Sequence, residues 1–341
     1  MTSEPAMTGL PRERSTGSVR GHAHAVVAVG LTLAVLLAGW ALLADPTASG
    51  SAAMAGTLLL GTAGWAVGSV VVHPNAVRMA YGVTGVALLV LVTGLPGSLT
   101  AAADAGVLGY ANANAALVEA AVAGLLVAAW WVTGRERQRL LAGCAVLTVV
   151  AFATGSRAGG FACALLMLTW WLVPHRGPAF WRALSAAVLV LGPATTVTLA
   201  ATHEPGTSSV ATSLLSEARV SLWSDALDLA AREPVTGIGA GDFAQESPVA
   251  RSDPDLRWAH SAPLQVLAEL GLVGLTLLAG LVAWMVWRLG RLSVFLAVLA
   301  LQPMVDYVLS FAVVVAMYGV VLGAAATTAA RLERAAAHHR D

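Results

Sequence analysis

The sequence predicts an all-α fold: a polytopic transmembrane helical bundle of about ten spans, with one large extracytoplasmic loop between spans seven and eight. Three observations carry this. Of 341 residues, 57% are hydrophobic and 11% charged, with a mean hydropathy of +0.76, whereas a soluble domain of this length is about a quarter charged. The apolar residues gather in runs near the ~20 residues that a spanning helix needs. The 19 basic residues, all arginine, fall unevenly on the connections between those runs, as the orientation rule for membrane helices requires.

Taken in order, residues 1–22, "MTSEPAMTGLPRERSTGSVRGH", are polar and read as a disordered cytoplasmic tail with no cleavable signal peptide. Spans one to seven follow at 23–44, 52–72, 78–96, 113–133, 139–154, 159–173 and 181–201, so that 23–201 forms one transmembrane block. Residues 202–261 form the large outer loop. Spans eight to ten lie at 262–287, 291–305 and 310–329, within a second block at 262–329, and residues 330–341 are a cytoplasmic tail. Alternating the connections puts Arg12, Arg14, Arg20, Arg78, Arg135, Arg137, Arg139, Arg176, Arg182, Arg288, Arg291, Arg331, Arg334 and Arg340 on one face. Only Arg157, Arg219, Arg232, Arg251 and Arg257 fall on the other. That asymmetry makes both termini cytoplasmic. Cys144 and Cys163 fall inside apolar runs at different depths and are expected as buried small side chains, without a disulfide.

The five outer arginines are the exceptions that need a reason. Arg157 sits in the turn "TGSRAGG" between spans five and six. Both spans read as short, so Arg157 is expected somewhat below the outer surface, where a guanidinium requires an anionic partner. Either an ion pair with Glu119 of span four or an anionic ligand would supply it.

The other four arginines share the large loop with nine acids. Its stretch "SLLSEARVSLWSDALDLAARE" reads as an amphipathic helix, with Leu215, Ala218, Leu222, Ala226 and Leu229 opposite Glu217, Ser221, Ser224 and Asp228. Arg219 lies one turn from Leu215 and from Trp223, and Pro234 ends the helix. Next comes "GIGAGDF", whose Gly237, Gly239 and Gly241 permit positive φ and close backbone approach to an anion, or simply a tight loop. It lacks the strand, helix and spacing of a dinucleotide fingerprint. "DPD" at 253–255 resembles an acid pair of nucleotide-sugar transferases, but two acids around a proline specify little. In "RWAHSAPLQVLAELGLVGL", Ser261 is a good N-cap and Pro263 suits the first turn of span eight. His260, just ahead of that cap, is placed to accept a proton at the water–lipid boundary. Glu269 shares a helix face with Gln265 and not with His260, which suits it to helix–helix hydrogen bonding.

In combination, "TGSRAGG", "ARVSLWSDALDLAAREPVTGIGAGDF" and "AHSAPLQVLAELGLVGL" resemble the O-antigen ligase and polymerase family over residues 109 to about 325. The resemblance rests on Ser156-Arg157, on Arg219 with Trp223, on Pro234 through Phe243 with Gly239 and Gly241, and on His260-Ser261 with Glu269 and Gly271. Weaker echoes are Asn114 in "GYANANA" and Asp306. Two departures stand out: the family has about twelve spans, and an asparagine stands where Ser261 stands here.

The resemblance implies a membrane glycosyltransferase that moves a glycan from an undecaprenyl-diphosphate donor to a hydroxyl acceptor on the extracytoplasmic side. The acceptor would be a glycan, a lipid or a protein. It further implies membrane lipids as surroundings, no nucleic acid partner, no cofactor and no metal. Arg157 and Arg219 would bind the diphosphate through their planar forks. His260 would act as general base. Ser156, Asn114, Trp223, Gly239, Gly241, Ser261, Glu269 and Asp306 would bind substrate or shape the site. Ligase and polymerase share these motifs. The alternative class is a polytopic transporter or lipid-linked oligosaccharide flippase, but the chain lacks a convincing internal repeat and its polar candidates gather at one face rather than at mid-depth.

Overall fold

A computed structural model describes residues 16–44, 49–70, 75–98, 108, 110–202, 216–253 and 256–338, and every regular element among them is a helix. These are α1 (Thr16–Ala44), α2 (Ser49–Ser69), α3 (Asn75–Ser98), α4 (Ala111–Ala129), α5 (Gly134–Ala153), α6 (Arg157–Leu172) and α7 (Pro178–Ala201). Then follow α8 (Glu217–Arg232), the short α9 (Phe243–Glu246) and α10 (Pro248–Ser252), α11 (Ala262–Leu289), α12 (Ser293–Val305) and α13 (Ala312–His338). Ten of these helices coincide with the ten apolar runs. Most of the expected N-terminal tail lies outside the described residues, and α1 begins at Thr16, inside the stretch read as tail.

Among the described residues, six stretches are long and apolar enough to cross a membrane: Gly50–Ser69, Ala111–Ala129, Arg157–His175, Pro178–Ala201, Ala262–Val305 and Ala312–Ala336. The fifth contains two of the expected spans, α11 and α12, joined by a single 3-10 turn. Ala28–Ala44 of α1 is a further apolar stretch. α5 differs from expectation for a physical reason. It starts at Gly134 and runs for 20 residues, because a charged first turn and a half, "GRERQR", continues the helix beyond the apolar run. At 1.5 Å per residue it is about 30 Å long, but the added length is the charged start, and α5 is not among the six stretches above.

The core is built around α4. Seventeen of its residues are buried, on all sides of the helix, which marks a central element and not an amphipathic one. Its alanines let α3, α5, α6 and α13 pack close. α2 lies against α13 along glycines on both helices, where a Cβ on Gly68 or Gly319 would strike the other helix's backbone. Cys144 and Cys163 are free and buried, as expected. One end of the bundle collects arginines: Arg182 approaches Glu333 at 3.6 Å and donates to the Trp287 carbonyl, while Arg331 lies over Trp131 and Arg137 over Trp170. The starts of α4, α6 and α11 lie at the opposite end.

α8 covers that opposite end. Val220, Leu222, Trp223, Ala226, Leu229 and Ala230 are buried, so the predicted apolar stripe exists and packs on α7 and α11. Residues 203–215, including Leu215, lie outside the described residues, and α8 begins at Glu217.

α11 is interrupted at Gly271, where φ is 62° and ψ −163°. In an unbroken helix, Leu272 and Val273 would donate to the Ala268 and Glu269 carbonyls. Here all four groups are taken by the loop after α8. Leu272 N donates to Pro234 O (2.9 Å) and Val273 N to Val235 O (3.3 Å), while Ile238 N donates to Ala268 O (3.0 Å) and Gly239 N to Glu269 O (3.1 Å). Irregular backbone at membrane depth is tolerated only when its polar groups are satisfied by protein in this way. The graft also fixes the loop after α8 on α11.

Candidate functional site

Four chain segments converge on Asp306. It follows the last residue of α12, is 2% exposed, and lies where α12 gives way to the 3-10 turn Val308–Ser310. Its carboxylate accepts from Tyr110 Oη (2.8 Å), from Asn112 Nδ2, from Tyr307 N (2.7 Å) and from Arg219 Nη2 (3.1 Å). Arg219 therefore reaches from α8 to the end of α12 as an ion pair. It also approaches the Tyr110 hydroxyl, at 3.5 Å. Burial raises the pKa of Asp306, opposed chiefly by the Arg219 charge and by the Tyr110 hydrogen bond. Burial and the adjacent Asp306 raise that of Tyr110.

His260 stands beside this cluster. Its Nδ1 is 4.0 Å from Asp306 Oδ1, beyond hydrogen-bonding distance, and neither ring nitrogen has a partner although the residue is 6% exposed. Burial first, and the Arg219 charge second, hold its pKa down to about 3. The imidazole is thus neutral, with a lone pair available. Its φ of 51° makes it the one non-glycine residue with positive φ among those described. The motif Arg-x-x-x-Trp accounts for how it is held. Arg219 and Trp223 are one turn apart on α8; while Arg219 takes Asp306, Trp223 Nε1 donates to the His260 carbonyl (3.2 Å). The ring of Tyr307 meets the imidazole edge-on at 4.6 Å and stacks on Tyr110 at 4.4 Å.

The turn before α11 is set by Gln265, whose Oε1 accepts from Ala259 N and whose Nε2 donates to Glu269 Oε1, both at 2.6 Å. Ser261 occupies the N-cap position without the expected side-chain cap, and its buried hydroxyl has no partner. Glu269 also receives the N–H groups of Phe243 (3.3 Å) and Gly241. The anion cradled by the glycine-rich loop is therefore a carboxylate of the chain itself. Gly241, at φ 91°, additionally leaves room for Gly50 at the start of α2, where a Cβ would come within 2.5 Å of the Gly50 Cα.

Arg157 is not part of the Asp306 cluster. It is exposed at the start of α6 and makes no ion pair among the described residues. Of the two alternatives for Arg157, the ion pair with Glu119 does not form: Glu119 is fully buried and accepts from Tyr318 Oη at 2.9 Å. Ser156 caps α6, accepting from Gly159 N at 3.1 Å. Gly159 packs against Ala115, three residues along α4 from Asn112, so Arg157 shares the cluster's end of the bundle. Asn114 is buried nearby with Oδ1 unpartnered. Of the "DPD" stretch, only Asp253 lies within the described residues.

His260, Ser261, Trp258, Tyr307 and Gly241 line a cavity of about 210 Å3 together with Gly50, Met54 and Leu58 of α2. A second cavity, of about 240 Å3, shares Leu58, Leu278, Leu309 and Val315 with it and continues between α1, α2, α11, α12 and α13 over an almost wholly apolar lining. Sequence reasoning missed Tyr110, Asn112 and Tyr307. Tyr110 and Asn112 lie in the same "GYANANA" stretch as Asn114, and Tyr307 directly follows Asp306.

Comparison with curated proteins gives no match. Residues 142–279, from mid-α5 to just beyond the break in α11, match the family model described as O-antigen ligase. This segment, to which the similarity is confined, contains Arg157, Arg219, Trp223, His260 and Glu269, in a chain with several stretches long and apolar enough to cross a membrane.

Proposed function

We propose that the protein transfers a glycan from an undecaprenyl-diphosphate donor to a hydroxyl acceptor on the extracytoplasmic side of the membrane. The observation that carries the reading is the meeting of Arg219 and a neutral, unpartnered His260 around Asp306, with His260 lining a cavity that shares wall residues with a second, almost wholly apolar one. A diphosphate on a long lipid needs both halves: cationic forks for the phosphates and an apolar path for the tail. The acceptor oxygen forms its bond to the anomeric carbon as the bond to the diphosphate oxygen breaks. The departing electron pair stays with the diphosphate, facing Arg219 and, across the same end of the bundle, Arg157. The hydroxyl proton passes to His260. Displacement in this single step inverts the anomeric centre. Arginine charge stands in for a divalent cation, so transfer survives chelation. The arginine-rich end lying opposite the site supports this sidedness.

The test is transfer by the purified protein in proteoliposomes, with a lipid-linked glycan and candidate acceptors. Replacing His260 by alanine should lower kcat by at least about a hundredfold while leaving donor binding within a few-fold. Full activity of that variant removes the base. Strict dependence on a divalent cation removes the arginine-only leaving-group model. Lipid movement across the bilayer without glycan transfer favours the transporter reading.

A further inference from the structure

We propose that Asp306 is a positioning residue that exchanges partners during turnover, neutralising Arg219 in the empty site and turning to Nδ1 of His260 when a diphosphate takes the guanidinium. This rests on the diphosphate-transfer reading above. In the empty site the strongest cation is already satisfied, at 3.1 Å, while the carboxylate oxygen facing His260 stops at 4.0 Å. The imidazole is left with both nitrogens bare in a buried position. A buried histidine with no partner lacks the group that orients a working base and stabilises the imidazolium formed in the reaction. The carboxylate that could do so is one short side-chain movement away and is committed elsewhere.

A diphosphate changes the balance. Arg219 then faces two anions, and the phosphate oxygens, with more charge and a matching bidentate geometry, take the fork. Asp306 is left with Tyr110, Asn112 and the Tyr307 N–H, and gains by moving toward Nδ1–H. The proton ledger closes: the acceptor hydroxyl gives its proton to Nε2, Nδ1–H donates to Asp306, and the new imidazolium sits between a carboxylate and the departing diphosphate. The base is strengthened only when donor is bound. The charged and titratable groups facing His260 are Asp306 from the end of α12, Arg219 from α8, Tyr110 from the start of α4 and Tyr307 from the turn before α13.

The experiment is the pH dependence of transfer by Asp306→Asn, which keeps the shape and most hydrogen bonds and removes the charge. The expected result is a kcat lower by about a hundredfold, an acid limb of kcat displaced to lower pH, and a donor KM unchanged or lower because Arg219 loses its competitor. Asp306→Glu should restore part of kcat and return the acid limb. A raised donor KM with kcat preserved, or an unmoved acid limb, overturns the exchange. In the wild-type protein with 15N-labelled histidine, adding undecaprenyl diphosphate should turn the His260 Nδ1 signal into that of a strongly hydrogen-bonded N–H, with the signal assigned by its loss in His260→Asn. A signal unaffected by saturating ligand also overturns it. If His260→Ala transfers normally, the broader reading fails; if His260→Ala is inactive and Asp306→Asn behaves as wild type, only the exchange fails.

Discussion

At the residue scale, His260 carries the largest local conflict in the site. A φ of 51° on a non-glycine residue costs about 1–3 kcal/mol, and the ring is buried without a partner. Trp223, fully buried, opposes that strain through its hydrogen bond to the His260 carbonyl and by filling the space beneath the turn. Trp223→Phe keeps an aromatic ring and loses the N–H. Its expected effect is a loss of about tenfold in kcat, ~1.4 kcal/mol of transition-state stabilisation, with donor KM within about twofold. Steady-state kinetics in proteoliposomes separates this from a packing defect, which would raise KM as well. Arg157 makes a complementary case. It is exposed and makes no ion pair among the described residues, so a structural role gives Arg157→Lys nothing to lose. As a diphosphate ligand it forfeits the planar fork and should raise donor KM at least about tenfold. Wild-type KM for Arg157→Lys removes Arg157 from the site.

At the element scale, the break in α11 explains why the glycine-rich loop and the helix that follows His260 occur together in one chain. Gly271 and Gly237 meet backbone to backbone: a Cβ on Gly271 would lie 2.4 Å from the Val235 carbonyl oxygen, and one on Gly237 2.3 Å from the Glu269 carbonyl. Gly271→Ala is strained twice, by φ and by contact, and four backbone hydrogen bonds depend on the same geometry. The expected cost is about 3 kcal/mol or more, read as a lower melting temperature in detergent. Transfer should fall with it, because the displaced loop carries Gly241 at the cavity wall. A melting temperature equal to wild type would show that the break is incidental. This junction also marks how far the sequence was legible. Ten helices followed from apolar runs, since lipid demands such runs wherever a helix crosses. The face of α8 followed from its periodicity, and Gln265 with Glu269 from helical spacing. The break was not legible: "ELGLVGL" is apolar throughout, and a glycine in it costs a continuous helix little. What decides it is a partner loop some thirty residues upstream. The destiny of Asp306 was hidden for the same reason, because its side-chain donors Tyr110, Asn112 and Arg219 come from segments with no local relation to it.

At the scale of the whole molecule, the decisive property is polarity between two ends. Arginines of α5, α7, α11 and α13 gather at one end, against Glu333 and the aromatic faces of Trp131 and Trp170. The Asp306 cluster and α8 occupy the other. The two ends share the central helix α4, which begins one residue after Tyr110 and ends one residue before Trp130. If arginine-rich connections stay in the cytoplasm, the cluster must face outward, where it would meet a donor already translocated. The chain is well suited to a direct test, because its two cysteines are free and fully buried and so give a silent background to thiol reagents. Val235, 58% exposed on the loop that clamps α11, takes a cysteine without losing its backbone bond. Arg334, exposed near the end of α13 at the opposite end, takes another. A membrane-impermeant maleimide applied to intact bacterial cells should label Val235→Cys and spare Arg334→Cys until the cells are lysed. The reverse pattern would place the imidazole and its arginine in the cytoplasm, on the wrong side for a translocated donor, and the transfer reaction would have to be abandoned in that form.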